Sequence, residues 1–533
     1  MDVKHRDKAS PVLREPTFKE LWLVFVLFAC LSLLILFFSS IQSPFFRYSF
    51  FQDANVYLGI GRAMQHGLMP YRDIFDHKGP LLYLLQYLAA WAFPHSTYGV
   101  YILLSLCLTT FLFFGYRIAR VFLSVKASFV SVLILQLMVM NNSWWFGLGA
   151  AEEYLLPGLM ACLYYLVRIF RIIDEENREK SLDTILCFAF SGFWLGTVAL
   201  IKYTPVPPLA LAFIITLVII LFKNGLKTAI MCALTIGLGV LTAAAPVIIY
   251  FFPKGIFGDM WAGYIEFNLL YANETNRLPS THTEMNQMFL LRFIVRMIGA
   301  LCGLLYLRVR TGKIKRSGTI LIAGYIILSF IFVLILNRNY LYYFLPLLPF
   351  VCFMCIAPVH FLSSALTKRA PLIASEKISR FFVASFIMLM CVIMVWISFL
   401  RPVDGISFFP KSEIEEYADE INSRWSGAGK SEPPRILNFR HVESGLMQLC
   451  DSYPMDRYFY MPAIYEAEGD RIIDVQIGYI SDGLPDVILL YASGDVTELI
   501  YSMNPDYELI TLNKADIQDD GIPRINVYMK SEK

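Results

Sequence analysis

Long apolar stretches alternate with short, mostly basic connections over the first three-quarters of this chain. Eleven stretches approach the roughly 20 residues that a helix needs to cross a bilayer. They cover about 21–40, 97–117, 127–145, 154–172, 184–201, 206–222, 228–252, 287–308, 317–337, 340–362 and 380–400. A further apolar run at 81–94 is too short to cross and reads as a juxtamembrane helix lying along the interface. Beyond residue 400 the pattern changes. Short strand-like runs, ILNF (436–439), RYFYM (457–461) and DVILLY (486–491), mix with a helical one at 443–450, which predicts a small α/β domain over 401–533.

Composition turns this pattern into a class. The chain is 57% hydrophobic and its mean hydropathy is +0.56, more apolar surface than a soluble protein of 533 residues needs. The fold expected is a polytopic α-helical membrane protein with about 11 transmembrane helices and an exported C-terminal domain. The net charge of +2 conceals a division. Residues 1–400 carry 33 Lys/Arg against 19 Asp/Glu, and residues 401–533 carry 12 against 24. Every other connection is basic, beginning with the tail 1–20, so the face they share is expected to be cytoplasmic. An odd number of spans then places 401–533 outside the cell membrane. Nine of the ten cysteines fall in apolar runs, where they act as small hydrophobes, and no nucleic-acid partner is expected.

Against this background one loop stands out. The outward segment 41–96 carries Asp53, Arg62, Arg72, Asp73, Asp76, His77 and Lys78, a density of charge that a plain connection does not need. Asp53 opens a predicted helix over 53–67, with Asp53, Tyr57, Ile60 and Met64 on one face. An N-cap role by itself explains an Asp there. Lys78-Gly79-Pro80 enters the next helix, where a Lys reaches a phosphate at headgroup depth; interfacial snorkelling explains a single such Lys or Arg equally well. Glu152 and Glu153 begin the fourth span from outside. A helix dipole accounts for one acid there and leaves the other for substrate. Lys202 interrupts two apolar runs near the outer face, and Arg338 lies in another outward connection. His66, His77 and His95 lack the spacing of metal ligands. Carboxylates and cations from several outward loops suit a reaction between a lipid-linked phosphate and a hydroxyl, the acid taking the proton and the cations stabilising the departing phosphate.

The order of these residues resembles a known family. An outward Asp after the first span, then G-x-x-P-Y-R-D, D-x-K-G-P-L-L-Y and E-E-Y-x-L-P, is similar to the GT-C glycosyltransferases, in particular the branch of aminoarabinose transferases and protein O-mannosyltransferases. The resemblance covers about residues 20–400 and is most specific over 51–83. It implies an inverting transfer from a polyprenyl-phosphate sugar, on the extracytoplasmic face, to a cell-envelope polymer, glycolipid or protein. It also implies a catalytic Asp at Asp53, a donor-phosphate Lys at Lys78 and a second acid at Glu152 or Glu153. Arg72, Lys202 and Arg338 are further phosphate-binding candidates; Asp76, His77 and Tyr57 are candidates for orienting donor or acceptor. The family's Asp-Glu pair is Asp53-Ala54 here, and its K-P-P-L is K-G-P-L. No metal or other cofactor is expected to be required. A transporter or flippase of envelope glycoconjugates is the alternative reading, and it would place charge at mid-membrane rather than at the outer ends.

Overall fold

The computed structural model describes residues 16–141, 146–174, 181–274, 283–335, 341–369, 411–462, 466–491, 496–512 and 525–531. The membrane part begins with α1 (Phe18–Ser39), α2 (Gln52–Gln65), α3 (Pro80–Ala92), α4 (Tyr98–Phe122), α5 (Val125–Asn141) and α6 (Ala151–Asp174). It continues with α7 (Ser181–Ile201), α8 (Val206–Asn224), α9 (Leu226–Phe251), α10 (Phe257–Met260), α11 (Phe267–Glu274), α12 (Thr283–Thr311), α13 (Arg316–Ile335) and α14 (Val351–Arg369). Among the described residues, nine helical stretches are long and apolar enough to span a membrane, and α5 is a shorter apolar helix. The stretch 380–400 lies outside the described residues.

Local sequence explains where these helices stop. Thr17 accepts a hydrogen bond from the Glu20 amide and caps α1. Pro80 occupies the first turn of α3, where its missing N–H costs nothing. Two proline-bearing segments depart from simple spans. Pro346 and Pro349 hold 341–350 in a 3₁₀ helix before α14 continues the crossing. Residues 252–274, after Pro253 ends α9, form a run of helical turns including a π-helical stretch at Trp261–Glu266.

The C-terminal region is built from α15 (Glu413–Gly427), the single turn α16 (Leu446–Leu449), α17 (Glu466–Ser481) and α18 (Val496–Met503) around one sheet. The strands β1 (Ile436–Asn438), β2 (Val487–Tyr491), β3 (Tyr507–Leu509) and β4 (Ile525–Lys530) lie in the order β1-β2-β4-β3. β1 and β2 are parallel, and β4 runs antiparallel to both β2 and β3. The α/β character predicted from sequence is present, with two corrections. The run 457–461 is not a strand. It is an irregular bridge, with Phe459 O accepting from Asn438 N and Arg457 O accepting from Phe75 N, and so it ties the sheet to the loop after α2. The predicted helix at 443–450 shrinks to one turn, because the Glu443 carboxylate turns back onto the amides of Gly445 and Met447.

One close approach positions everything that follows. Gly79 N donates to Ile201 O at 2.9 Å, which lays the loop before α3 on the end of α7. A Cβ at residue 79 would sit 2.2 Å from Leu200 O, and proline would lack the N–H, so glycine is required where the resembling family carries proline. Gly79→Ala is therefore expected to force the loop off α7 at a cost of roughly 1–3 kcal/mol. A thermal melt beside wild type checks this, and an unchanged Tm would refute the contact.

Candidate active site

At the end of the bundle where the sheet-bearing region docks, four segments bring acids and bases together. α2 supplies Asp53 and Tyr57. The loop 70–79 supplies Asp76, His77 and Lys78, α6 supplies Glu152, and the residue after α7 supplies Lys202. Phe51 is the N-cap of α2 and makes no side-chain cap, so Asp53 lies inside the first turn and its carboxylate is directed elsewhere. Asp53 Oδ2 accepts from Tyr57 Oη at 3.3 Å and from Tyr342 Oη at 3.4 Å. Tyr342 in turn stacks on Tyr343 with ring centres 5.3 Å apart, and Lys202 Nζ stands 4.0 Å above the Tyr343 ring. Lys202 also pairs with Glu152, both buried. On the other side, Lys78 Nζ is 3.0 Å from His77 Nε2 and 5.9 Å from the centre of the Tyr57 ring.

Asp76 anchors this second half. It is 1% exposed and accepts from His77 N at 2.7 Å, Tyr83 Oη at 2.8 Å and Tyr460 Oη at 3.1 Å. The carbonyl of His77 accepts from Asn268 Nδ2 at 2.7 Å, so the helical turns after α9 buttress the loop. The electrostatics separate the two aspartates. Burial drives the Asp53 carboxyl above the usual carboxylate range, with Glu152 and Asp76 adding to that push and Lys78 and Lys202 opposing it. Burial would raise Asp76 as well, but Lys78, His77 and the Tyr83 hydroxyl outweigh it and hold Asp76 below the usual range. Burial disfavours the Lys78 charge, yet Asp76 and Asp53 prevail and keep its pKa raised.

The structure thus brings together Asp53, Tyr57, Asp76, His77, Lys78, Glu152 and Lys202. It does not bring Arg72 or Glu153 into the group. Arg72 is exposed and forks onto Asp73 through Nε and Nη2, at 2.9 and 2.8 Å. Glu153 faces the other way. Its carboxylate accepts from the amides of Gly147, Leu148, Gly149 and Ala150 at 2.6–3.2 Å, in a turn that two positive-φ glycines make possible. Arg338 lies outside the described residues. Three contributors escaped the sequence reading. Tyr83 follows Lys78 by a little over one helical turn and was findable as a hydroxyl on the inner face of α3. Tyr460 sits within RYFYM, whose alternation mimics a strand, and Asn268 lies in a segment without periodicity.

A small apolar crevice of about 20 Å³ lies beside Glu152 and Tyr343, between Pro208, Tyr325 and Leu347. Pro208 and Tyr325 also line a groove of about 470 Å³ between α8 and α13, walled by Leu211, Ile215, Ile219 and Leu321. An apolar track along two membrane-crossing helices thus begins one small crevice away from the buried Glu152–Lys202 pair.

No family model and no curated protein matches this sequence. Solved structures do. ArnT from Cupriavidus metallidurans bound to undecaprenyl phosphate superposes with a TM-score of 0.60 at 12% identity, over 96% of this chain and 98% of that one. Its apo form gives 0.53 at 11%, over 95% and 97%. The apo oligosaccharyltransferase of Archaeoglobus fulgidus gives 0.50 at 12%, over 95% and 75%. The chain has the GT-C fold. It is a multi-pass membrane protein, and the small sheet of its C-terminal region belongs to the same overall match.

Glu153 gives the fold a stability test separate from chemistry. Glu153→Ala strands four buried amides and is expected to cost on the order of 3–5 kcal/mol, seen as a large fall in Tm. A melt within a degree of wild type would dismiss the cap.

Proposed function

We propose that this protein is a membrane glycosyltransferase that moves a sugar from a polyprenyl-phosphate donor to an acceptor hydroxyl on the extracytoplasmic face. One observation carries the reading. A carboxylate with a raised pKa, Asp53, lies among two lysines from separate segments, and Glu152, the buried partner of one of them, lines the crevice that adjoins an apolar groove between α8 and α13. The GT-C fold, shared with a protein crystallised on undecaprenyl phosphate, supports it. The basic connections between spans favour a cytoplasmic N-terminus and an exported C-terminal region.

In the proposed reaction the prenyl chain lies in the track between α8 and α13 and presents its phosphate to Lys78 and Lys202. The acceptor oxygen attacks C1 of the sugar as Asp53 takes the hydroxyl proton. The C1–O bond to phosphate breaks with its electron pair leaving on phosphate, where the two lysines offset the new charge. Attack opposite the departing phosphate inverts C1. Glu152 fixes Lys202 through their buried pair, and Asp76 fixes Lys78. Tyr57 orients the base by its hydrogen bond. The acceptor class is a polymer, glycolipid or protein of the cell envelope.

Asp53→Asn should lower transfer by about 100-fold or more while the thermal melt stays within a few degrees of wild type, as loss of a general base requires. The base works deprotonated, so kcat/KM should fall as pH drops through the raised Asp53 pKa. The acidic limb is then expected above 3.8, the ordinary aspartate value, and should move further up in Lys78→Met because Lys78 opposes the shift. Undiminished transfer in Asp53→Asn would remove the base from the mechanism. Because two lysines supply the positive charge, transfer measured with a radiolabelled polyprenyl-phosphate sugar should persist in excess EDTA. Complete loss in EDTA, restored by one divalent cation, would replace the lysine account with a metal one.

A further inference from the structure

Arg62 is a buried cation that the reaction above does not use. It lies nine residues beyond Asp53 on α2, about 13 Å further along the helix. The residue is 7% exposed, and its Nη1 donates to Ser452 O at 3.4 Å. Nε and Nη2 are buried and meet no acceptor among the described residues. Asp451 and Glu443 act on its charge through space, which is enough to keep a guanidinium there but leaves its fork open. A planar fork with two unspent N–H groups is the shape that accepts a carboxylate or phosphate bidentately.

The surroundings point to a particular ligand. Arg62 lines a cleft of about 360 Å³ between α2 and the sheet-bearing region, together with His66, Trp425, Tyr453 and, at the rim, His95, Glu432 and Asp451. His66 lies flat on Tyr453, ring centres 3.9 Å apart and planes within 4°. This stack and the Trp425 indole, whose N–H is turned to Glu432 O and one face of which carries Lys430 Nζ at 4.1 Å, give the cleft amphipathic aromatic walls. His95 Nδ1, 2.7 Å from Asp451 Oδ2, supplies polar groups at its exposed rim. Aromatic planes beside polar rims suit the alternating C–H and O–H faces of a sugar ring.

We propose that this cleft binds a saccharide carrying a carboxylate or phosphate, its anion on Arg62 and its ring against Tyr453 and Trp425. The separation from Asp53 exceeds one sugar ring, so the charged unit held here is a neighbour of the unit that reacts. Its role as an acceptor subsite rests on the transferase reading, whereas the binding itself does not.

The test is therefore binding without donor or turnover. Purified full-length protein in detergent is titrated calorimetrically with a glucuronate disaccharide, glucose 6-phosphate, glucose and inorganic phosphate. At least one charged sugar is expected to bind about tenfold or more tightly than glucose or inorganic phosphate, the better of the two naming the anion. Arg62→Gln should weaken that binding by about tenfold or more, and Arg62→Lys by less. Tyr453→Ala should weaken the charged sugars and leave inorganic phosphate unchanged. Glucose bound as tightly as the charged sugars, phosphate alone bound as tightly, no probe bound, or Arg62→Gln binding like wild type would each overturn the proposal. If Arg62→Gln fails to fold by thermal melt, Tyr453→Ala and Trp425→Ala decide it, because both residues are only partly buried; unchanged charged-sugar binding in both would overturn it.

Discussion

The charged cluster depends on one backbone contact without a side chain. Gly79 lets the loop before α3 lie against the last carbonyls of α7, and this brings Lys78 to the same place as Lys202. Two ammonium groups so placed repel, and the Lys202 charge does work against that of Lys78. The arrangement persists because each lysine has its own acid, Asp76 for one and Glu152 for the other, with Asp53 between. Removing either acid would leave a poorly solvated cation facing a second one, which is far costlier than losing a surface ion pair. The cluster is thus a mutual constraint among four segments rather than a sum of pairs.

Much of this was legible in the sequence, for a physical reason. A bilayer demands apolar length, so the spans announce themselves, and any charge near their ends needs an explanation. Asp53, Lys78, Glu152 and Lys202 were all visible in that way. Glu152 and Glu153 could not be told apart, because the difference lies in where residues 147–150 turn, and only the folded turn shows four amides converging on one carboxylate. Asp76 looked like one more loop acid. Its burial depends on Tyr83 from α3 and on Tyr460, which joins it from 384 residues away. The alternation in RYFYM is the same whether the alternate faces meet a sheet or a neighbouring loop, so periodicity alone selected the wrong partner.

That same bridge explains why the C-terminal region belongs to the site. Phe75 N bonds Arg457 O, Phe459 O holds Asn438 N at the edge of the sheet, and Tyr460 reaches Asp76. The region therefore reads out the position of the loop that carries Lys78. Its own buried core, with Leu437, Ile488, Leu490 and Tyr528 inside, gives the bridge a rigid anchor.

The two aspartates are close in chemistry and opposite in electrostatics, and the difference follows from neighbouring charges and hydrogen bonds rather than from depth. Asp76 receives three donors and a neighbouring ammonium, so its charge is stabilised and it serves as a fixed counterion. Asp53 receives two long tyrosine hydrogen bonds among the described residues and faces Glu152 and Asp76, so its proton affinity rises. A base must bind a proton during the reaction and release it afterwards, which a carboxylate held as firmly as Asp76 does poorly. Asp76 keeps Lys78 charged, and a charged Lys78 in turn stops Asp53 from rising so far that it stays protonated. The assignment of base to one acid and anchor to the other follows from that balance.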